Sequence, residues 1–342
     1  MKNPIKSFLP AFIILFYHTT FAQSFKIGTI DIYGNRKTLT EVVLAQLSIK
    51  EGDSISHQSF KSADEIARIK QIPGVKEVTV NPVCCDTAGN LMLYIGIAET
   101  DSVILKHRQA PVKDIKLPDT MINTYNNFID QIQGAIKNGQ GAEDYSHGYA
   151  LINYQPARND QNKFITFAEK SLPVLADVLK NSRYEEDRAA AADIIAYSAD
   201  REKVVDYLLY ATDDPDEDVR NNAARALGVL EDYLVLHPQL KITIPAGPFI
   251  RMINSIVWTD RNKGSLVLMH MTQNRDPKLL KQIKQQALAS VIEMAKWNDR
   301  NHALPCFLIL GRMAGIDDKQ LMIKNFSKNW LYEVSTIVDK CR

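Results

Sequence analysis

The sequence has almost no excess charge: 41 Lys and Arg stand against 40 Asp and Glu, a formal net of +1. So balanced a chain lacks the basic footprint of nucleic-acid binding and the polybasic segment that anionic lipid attracts. Signatures of chemistry are equally scarce. The seven histidines show neither His-x-His nor His-Glu-x-x-His spacing, so no metal site is expected. No Gly-x-Ser-x-Gly elbow occurs. Gly134 and Gly139 have phosphate-loop spacing, but Gln140 stands where the lysine belongs and no Ser or Thr follows. Asp214, Asp216 and Asp218 alternate as in a calcium loop, yet Val219 replaces its glycine and Arg225 its bidentate Glu. No catalytic residue and no cofactor is expected.

Cysteine is sparse too, at four residues. An even count permits disulfides in an oxidising compartment. Cys84 and Cys85 are adjacent, where a bridge is uncommon, and they lack the spacing of a redox Cys-x-x-Cys. Cys306 lies in an apolar run and reads as a buried thiol, and Cys341 stays open. Long apolar runs are absent except at the start, where Lys2 and Lys6 precede Phe8 to Tyr17 and Thr20-Phe21-Ala22 offers small residues before Gln23. This pattern predicts a signal peptide over residues 1–22. The run is too short for a permanent span, so no integral membrane segment is expected after cleavage.

What is present begins with a change of period. Lys26 to Tyr33 predicts a strand ended by the turn Gly34-Asn35. Two helices follow, one carrying Val43, Leu44 and Leu47, the other running from about Gln58 to Gln71. Val75 to Pro82 and Leu91 to Ala98 then alternate as strands. The order strand-helix-helix-strand-strand predicts a small α+β domain over residues 24–100, its three-stranded sheet covered by helices on one side. Ile30-x-Ile32-x-Gly34-Asn35-Arg36, Gly52-Asp53, Ile72-Pro73-Gly74-Val75 and Leu91-x-Leu93-x-Ile95-x-Ile97-x-Glu99 resemble the polypeptide-transport-associated (POTRA) family. The resemblance implies binding of other polypeptides by strand addition at a sheet edge, though those proteins continue into a β-barrel or carry an anchor. An open edge carries unpaired backbone groups, which supports the same mode. Charges such as Lys76 and Glu77 would blunt it. Thr79 and Asn81 are the candidate edge contacts.

Residues 101–120, with Pro111 and Pro118, read as a linker. Beyond them Asp213-Asp214-Pro215-Asp216 opens a helix whose Val219, Ala223, Ala226, Leu227 and Leu230 form one stripe. Arg188, 32 residues before Arg220, heads a similar acidic-Arg-alanine run. Trp258-Thr259-Asp260-Arg261-Asn262 recurs as Trp297-Asn298-Asp299-Arg300-Asn301, 39 residues on. Such spacing predicts a solenoid of helix pairs over residues 121–342, each pair needing neighbours to bury its stripe. An irregular helical bundle is the competing reading. Asp-Pro, Val-Arg and Ala-Ala-x-Ala-Leu-Gly resemble the second helix of a HEAT repeat. That resemblance implies a structural bond between Asp214 and Arg220.

The fold expected is therefore multidomain: a small α+β domain followed by an all-α HEAT-like solenoid. The function expected is a non-enzymatic, exported scaffold binding a protein or peptide partner, in the periplasm or at the cell surface, with possible contact to envelope proteins. Asn222 and Arg225 are the candidate contacts of the solenoid groove. A helical-repeat enzyme with its site in the concave surface is the alternative; it requires titratable groups converging in one pocket.

Overall fold

The structure, a computed structural model, describes residues 24–56, 60–325 and 327–341. The signal-peptide expectation lies outside them. The chain forms two compact units, residues 107–248 and, separately, residues 24–106 with 249–341.

In the latter unit β1 (Ser24–Tyr33), α1 (Thr40–Gln46), β2 (Ser54–Ser56), α2 (Ser62–Ile69), β3 (Val75–Cys84) and β4 (Leu91–Glu99) follow one another. The sheet order is β2-β1-β4-β3, with β1 and β4 parallel and the other pairs antiparallel. Ile27, Ile30, Val43, Ile69, Val78, Val80, Leu91, Leu93, Ile95 and Ile97 make the core under α1 and α2. Two expectations are corrected. There are four strands, because Ser54–Ser56 leaves the Gly52 turn extended and pairs with β1. And both faces of the sheet are covered: Met92, Tyr94 and Ala98, on the face away from α1 and α2, are also buried. Every residue of β4 is buried, the pattern of a doubly covered strand.

Residues 107–248 hold α3 (Asp119–Lys137), a short hairpin of β5 (Glu143–Asp144) and β6 (Leu151–Ile152), then α4 (Gln155–Asn181), α5 (Glu185–Ile195), α6 (Arg201–Ala211) and α7 (Glu217–Leu236). Pro173 cannot donate to the helix ladder, and α4 breaks at Ser171 (φ −134°, ψ 22°), so its second half pairs with α5 as a separate limb. Ala189 to Ala192 are all buried in α5, and their small size lets α4 and α7 close on it from either side. Asp216 caps α7, accepting the N–H groups of Asp218 and Val219. Residues 107–117, within the segment read as a linker, run as a strap over these turns. The Lys113 N–H donates to the Asn181 carbonyl, the Arg183 N–H to the Lys113 carbonyl, and the Leu117 N–H to the Asp187 carboxylate.

The sheet's unit is completed by α8 (Gly247–Met252), α9 (Trp258–Met271), α10 (Pro277–Ala295), α11 (Arg300–Met313), α12 (Asp318–Asn325) and α13 (Trp330–Cys341). Within each unit helices pack on their neighbours, α5 on α7 in one and α10 on α11 in the other, the stacking by which a helical repeat buries its stripe. No described helix is long and apolar enough to cross a membrane. Cys84 and Cys85 are joined as a disulfide, the uncommon option; Cys306 and Cys341 are free and buried.

Candidate functional site: a polar cluster in one unit and a sheet seam in the other

One turn recurs three times. The Ser182 hydroxyl accepts the Tyr184 N–H (3.1 Å) while its carbonyl accepts Arg188 (3.0 Å). Asp214 repeats this with the Asp216 N–H (3.0 Å) and Arg220 (2.8 Å), and Ser255 with the Val257 N–H (3.1 Å) and Arg261 (2.6 Å). All three arginines are 2% exposed. A buried guanidinium thus satisfies the carbonyls that each turn leaves open. The Asp214 carboxylate does not go to Arg220, which bonds the carbonyls of Asp214 and Pro215. Its oxygens take Arg188 Nε and Nη2 at 3.0 and 2.9 Å, and Arg108 from the strap. The preceding repeat's arginine therefore reaches forward to the next repeat's aspartate.

Asn222 and Arg225, one turn further along α7, enter a polar cluster. Asn222 Nδ2 donates to the Tyr125 hydroxyl of α3 (2.9 Å) and to the Ala189 carbonyl (3.0 Å). Arg225 is ion-paired to Glu143 of β5, whose other oxygen accepts from the Tyr145 hydroxyl at 3.1 Å. The groove side of α7 is thus lined by the chain's own α3 and hairpin. Asp193 of α5 and Tyr197 complete the cluster. Burial raises the Asp193 carboxyl to about 6, with Arg225 opposing and Glu143 adding. Burial also raises the hydroxyls of Tyr125, Tyr145 and Tyr197. Burial works against the Arg225 charge, but Glu143, Tyr145, Asp193 and Tyr197 outweigh it and lift its pKa. Sequence reasoning missed Asp193, Glu143, Tyr145 and Tyr125. The signal for Asp193 was a lone carboxylate following four alanines in a helix with apolar neighbours.

Thr79 and Asn81 lie in the sheet's unit, on the face covered by helices, and do not meet Asn222 or Arg225. The Thr79 hydroxyl donates to the Ile256 carbonyl (2.5 Å), as does the Tyr33 hydroxyl (2.8 Å). Asn81 pairs with Tyr94 in the register, and its Oδ1 is buried without a hydrogen-bond partner among the described residues. The repeated Trp motif forms the other wall. Trp258 and Trp297 pack on Tyr94 at centroid distances of 5.3 and 4.9 Å, and Trp297 also meets Tyr33. Gly96 permits the approach: a Cβ there would lie 1.9 Å from the Ile256 oxygen. Arg36 and Arg261 share Glu293, each at 2.9 Å.

Asp31 accepts the backbone and side-chain N–H groups of Asn298 at 3.0–3.2 Å, and burial raises its carboxyl to about 7. Burial lowers His302 to about 4, against the pull of Asp299, while it pushes the Tyr94 hydroxyl upward. The Tyr94 hydroxyl and His302 Nδ1 share a hydrogen bond at 2.7 Å, and with the imidazole held neutral the 3.7 Å approach of Asp299 carries no ion pair at neutral pH. Among the described residues no group of three or more His, Cys, Asp or Glu could hold a metal ion.

Residues 172–236 match the family model described as HEAT repeats, the stretch from the break in α4 to the end of α7. No curated protein matches the chain. Among solved structures, a designed armadillo repeat protein in complex with the peptide (KR)4 is 12% identical, with a TM-score of 0.37, covering 65% of this chain and 98% of its own.

Proposed function

We propose that the protein is an exported, non-enzymatic scaffold that binds polypeptide partners in the cell envelope, through a POTRA-like sheet edge and its helical repeats. The carrying observation is the position of β3. It is one of the two edge strands of a sheet whose faces are both covered, and at ten residues it offers a far longer backbone edge than the three-residue β2 at the other end. An extended segment adding there would gain backbone hydrogen bonds without disturbing either packed face. Pro82 and the charged Lys76 and Glu77 restrict where such a segment can sit. The signal-like residues 1–22 support export to the periplasm or cell surface.

A photo-reactive side chain at Lys76, exposed on β3, tests this in cells against the same group at Arg68, exposed on α2. Cross-links to other polypeptides are expected from position 76 alone. Equal yields at both positions, or none at either, would overturn the reading. One observation favours the enzyme alternative: Asp193, Glu143, Arg225 and three tyrosines converge in one cluster. No side-chain nucleophile paired with a base is present there among the described residues, so the scaffold reading stands first.

A further inference from the structure

A disulfide stabilises a fold mainly by restraining the unfolded chain, and the gain shrinks with the loop it closes. Cys84 and Cys85 are adjacent, so their bridge ties no element to another. The hairpin around it is held by other bonds. The β3–β4 ladder runs in register from the Glu77–Ala98 pair to the Cys84–Leu91 pair. Beyond it Asp86 closes the turn. Its N–H donates to the Asn90 carbonyl (2.9 Å), and its carboxylate accepts the N–H groups of Ala88 and Asn90 (2.8 Å each) and Asn90 Nδ2 (3.0 Å). Gly28 of β1 leaves room for that carboxylate, since a Cβ there would lie 2.5 Å from Asp86 Oδ2. Neither the ladder nor the turn depends on the sulfurs.

What distinguishes the pair is access. Cys85 is exposed, whereas Cys84, the last residue of β3, is half-buried and packs against the core under α1 and α2. An incoming thiolate therefore meets the Cys85 sulfur first and expels the Cys84 sulfur, which stays beside the bond it has left. The remaining thiols do not compete. Cys306 and Cys341 are 0% and 3% exposed, and burial pushes both upward, away from the reactive thiolate form.

We propose that Cys84–Cys85 is a thiol–disulfide exchange site that takes a thiol on the Cys85 sulfur. The entering thiolate bonds to Cys85 Sγ as the bond to Cys84 Sγ breaks, and the electron pair leaves on Cys84 Sγ. A second thiolate then attacks the entering sulfur and releases Cys85. Two thiols are thereby oxidised to one disulfide, and the pair is reduced to two thiols that take up the two protons. The thiol comes from a small molecule or from a cysteine side chain of a polypeptide. The exchange needs no strand addition along β3, so either reading can fail without the other.

The test treats the folded full chain with glutathione and, separately, with a short cysteine-containing peptide, quenches with N-ethylmaleimide and maps the products by mass spectrometry. The folded chain should gain the thiol at Cys85 and the maleimide at Cys84. Full reduction with dithiothreitol should move the melting temperature by no more than roughly 4 °C. With oxidised glutathione, Cys85 in Cys84→Ser should react at least roughly tenfold faster than Cys84 in Cys85→Ser. Reaction with glutathione alone assigns a small thiol, with the peptide alone a polypeptide, and with both a site open to either source. Absence of an adduct on the folded chain with both thiols, attachment at Cys84, or unfolding on reduction overturns the proposal. The wild-type arms decide it even where a serine variant does not fold.

Discussion

Asp214→Asn removes the carboxylate that joins one repeat to the next. Asp214 is fully buried and receives Arg188 through two bonds, Arg108 through an ion pair, and the Asp216 N–H. Substitution strands two guanidiniums, of which Arg188 is 2% exposed. Removing one partner of a buried pair costs about 3–5 kcal/mol. For a domain of this size each kcal/mol lowers the melting temperature by roughly 2–4 °C, so calorimetry should show a fall of about 6–20 °C. Arg188→Met should cost less, because Asp214 keeps Arg108 and methionine fills much of the space. A loss under about 1 kcal/mol for Asp214→Asn would place the pair among surface bridges and refute the reasoning.

Gly96→Ala should destabilise by roughly 2 kcal/mol or more, since its methyl meets the Ile256 carbonyl and cannot be absorbed by side-chain motion; urea denaturation measures it. Asp193→Asn should be more stable than wild type at pH 7.5 by roughly 1–3 kcal/mol, the difference vanishing near pH 4. The sign follows from a carboxyl raised from 3.8 to about 6 in the fold: between those values the folded state binds more protons, so wild type loses stability as pH rises. Under denaturing, non-reducing conditions, thiol titration should find Cys306 and Cys341 reactive and Cys84 and Cys85 only after reduction.

Much of this was legible. Arg188 and Arg220, paired by their spacing in the sequence, do hold equivalent turns, and Arg261, paired in the sequence with Arg300, holds the third. Alternation in β3 and β4 located the strands because one face packs on α1 and α2. The second covered face was not read. Helices on one side only is what the sequence pattern predicts, although the run Met92 to Ala98 holds no charge, a sign of burial on both sides. The repeated Trp motif was recognised as a repeat, but its packing on Tyr94 depends on contacts far apart in sequence. The β5–β6 hairpin escaped notice because two-residue strands carry no periodicity. With it went Glu143 and Tyr145, and hence the surroundings of Arg225. The expected bond between Asp214 and Arg220 is present at the Asp214 carbonyl, while the carboxylate goes to the preceding repeat's Arg188, a choice set by stacking and invisible to local spacing.

The proposed binding mode rests on a sheet covered on both faces, with β3 as its long edge. Native-state hydrogen exchange of the full chain tests it most directly. The account predicts that amides of β4, from Met92 to Ala98, exchange through the same opening as those of α9 and α11, with equal free energies and equal denaturant dependence. A sheet that opens as its own earlier unit, with α9 and α11 still protected, would contradict it.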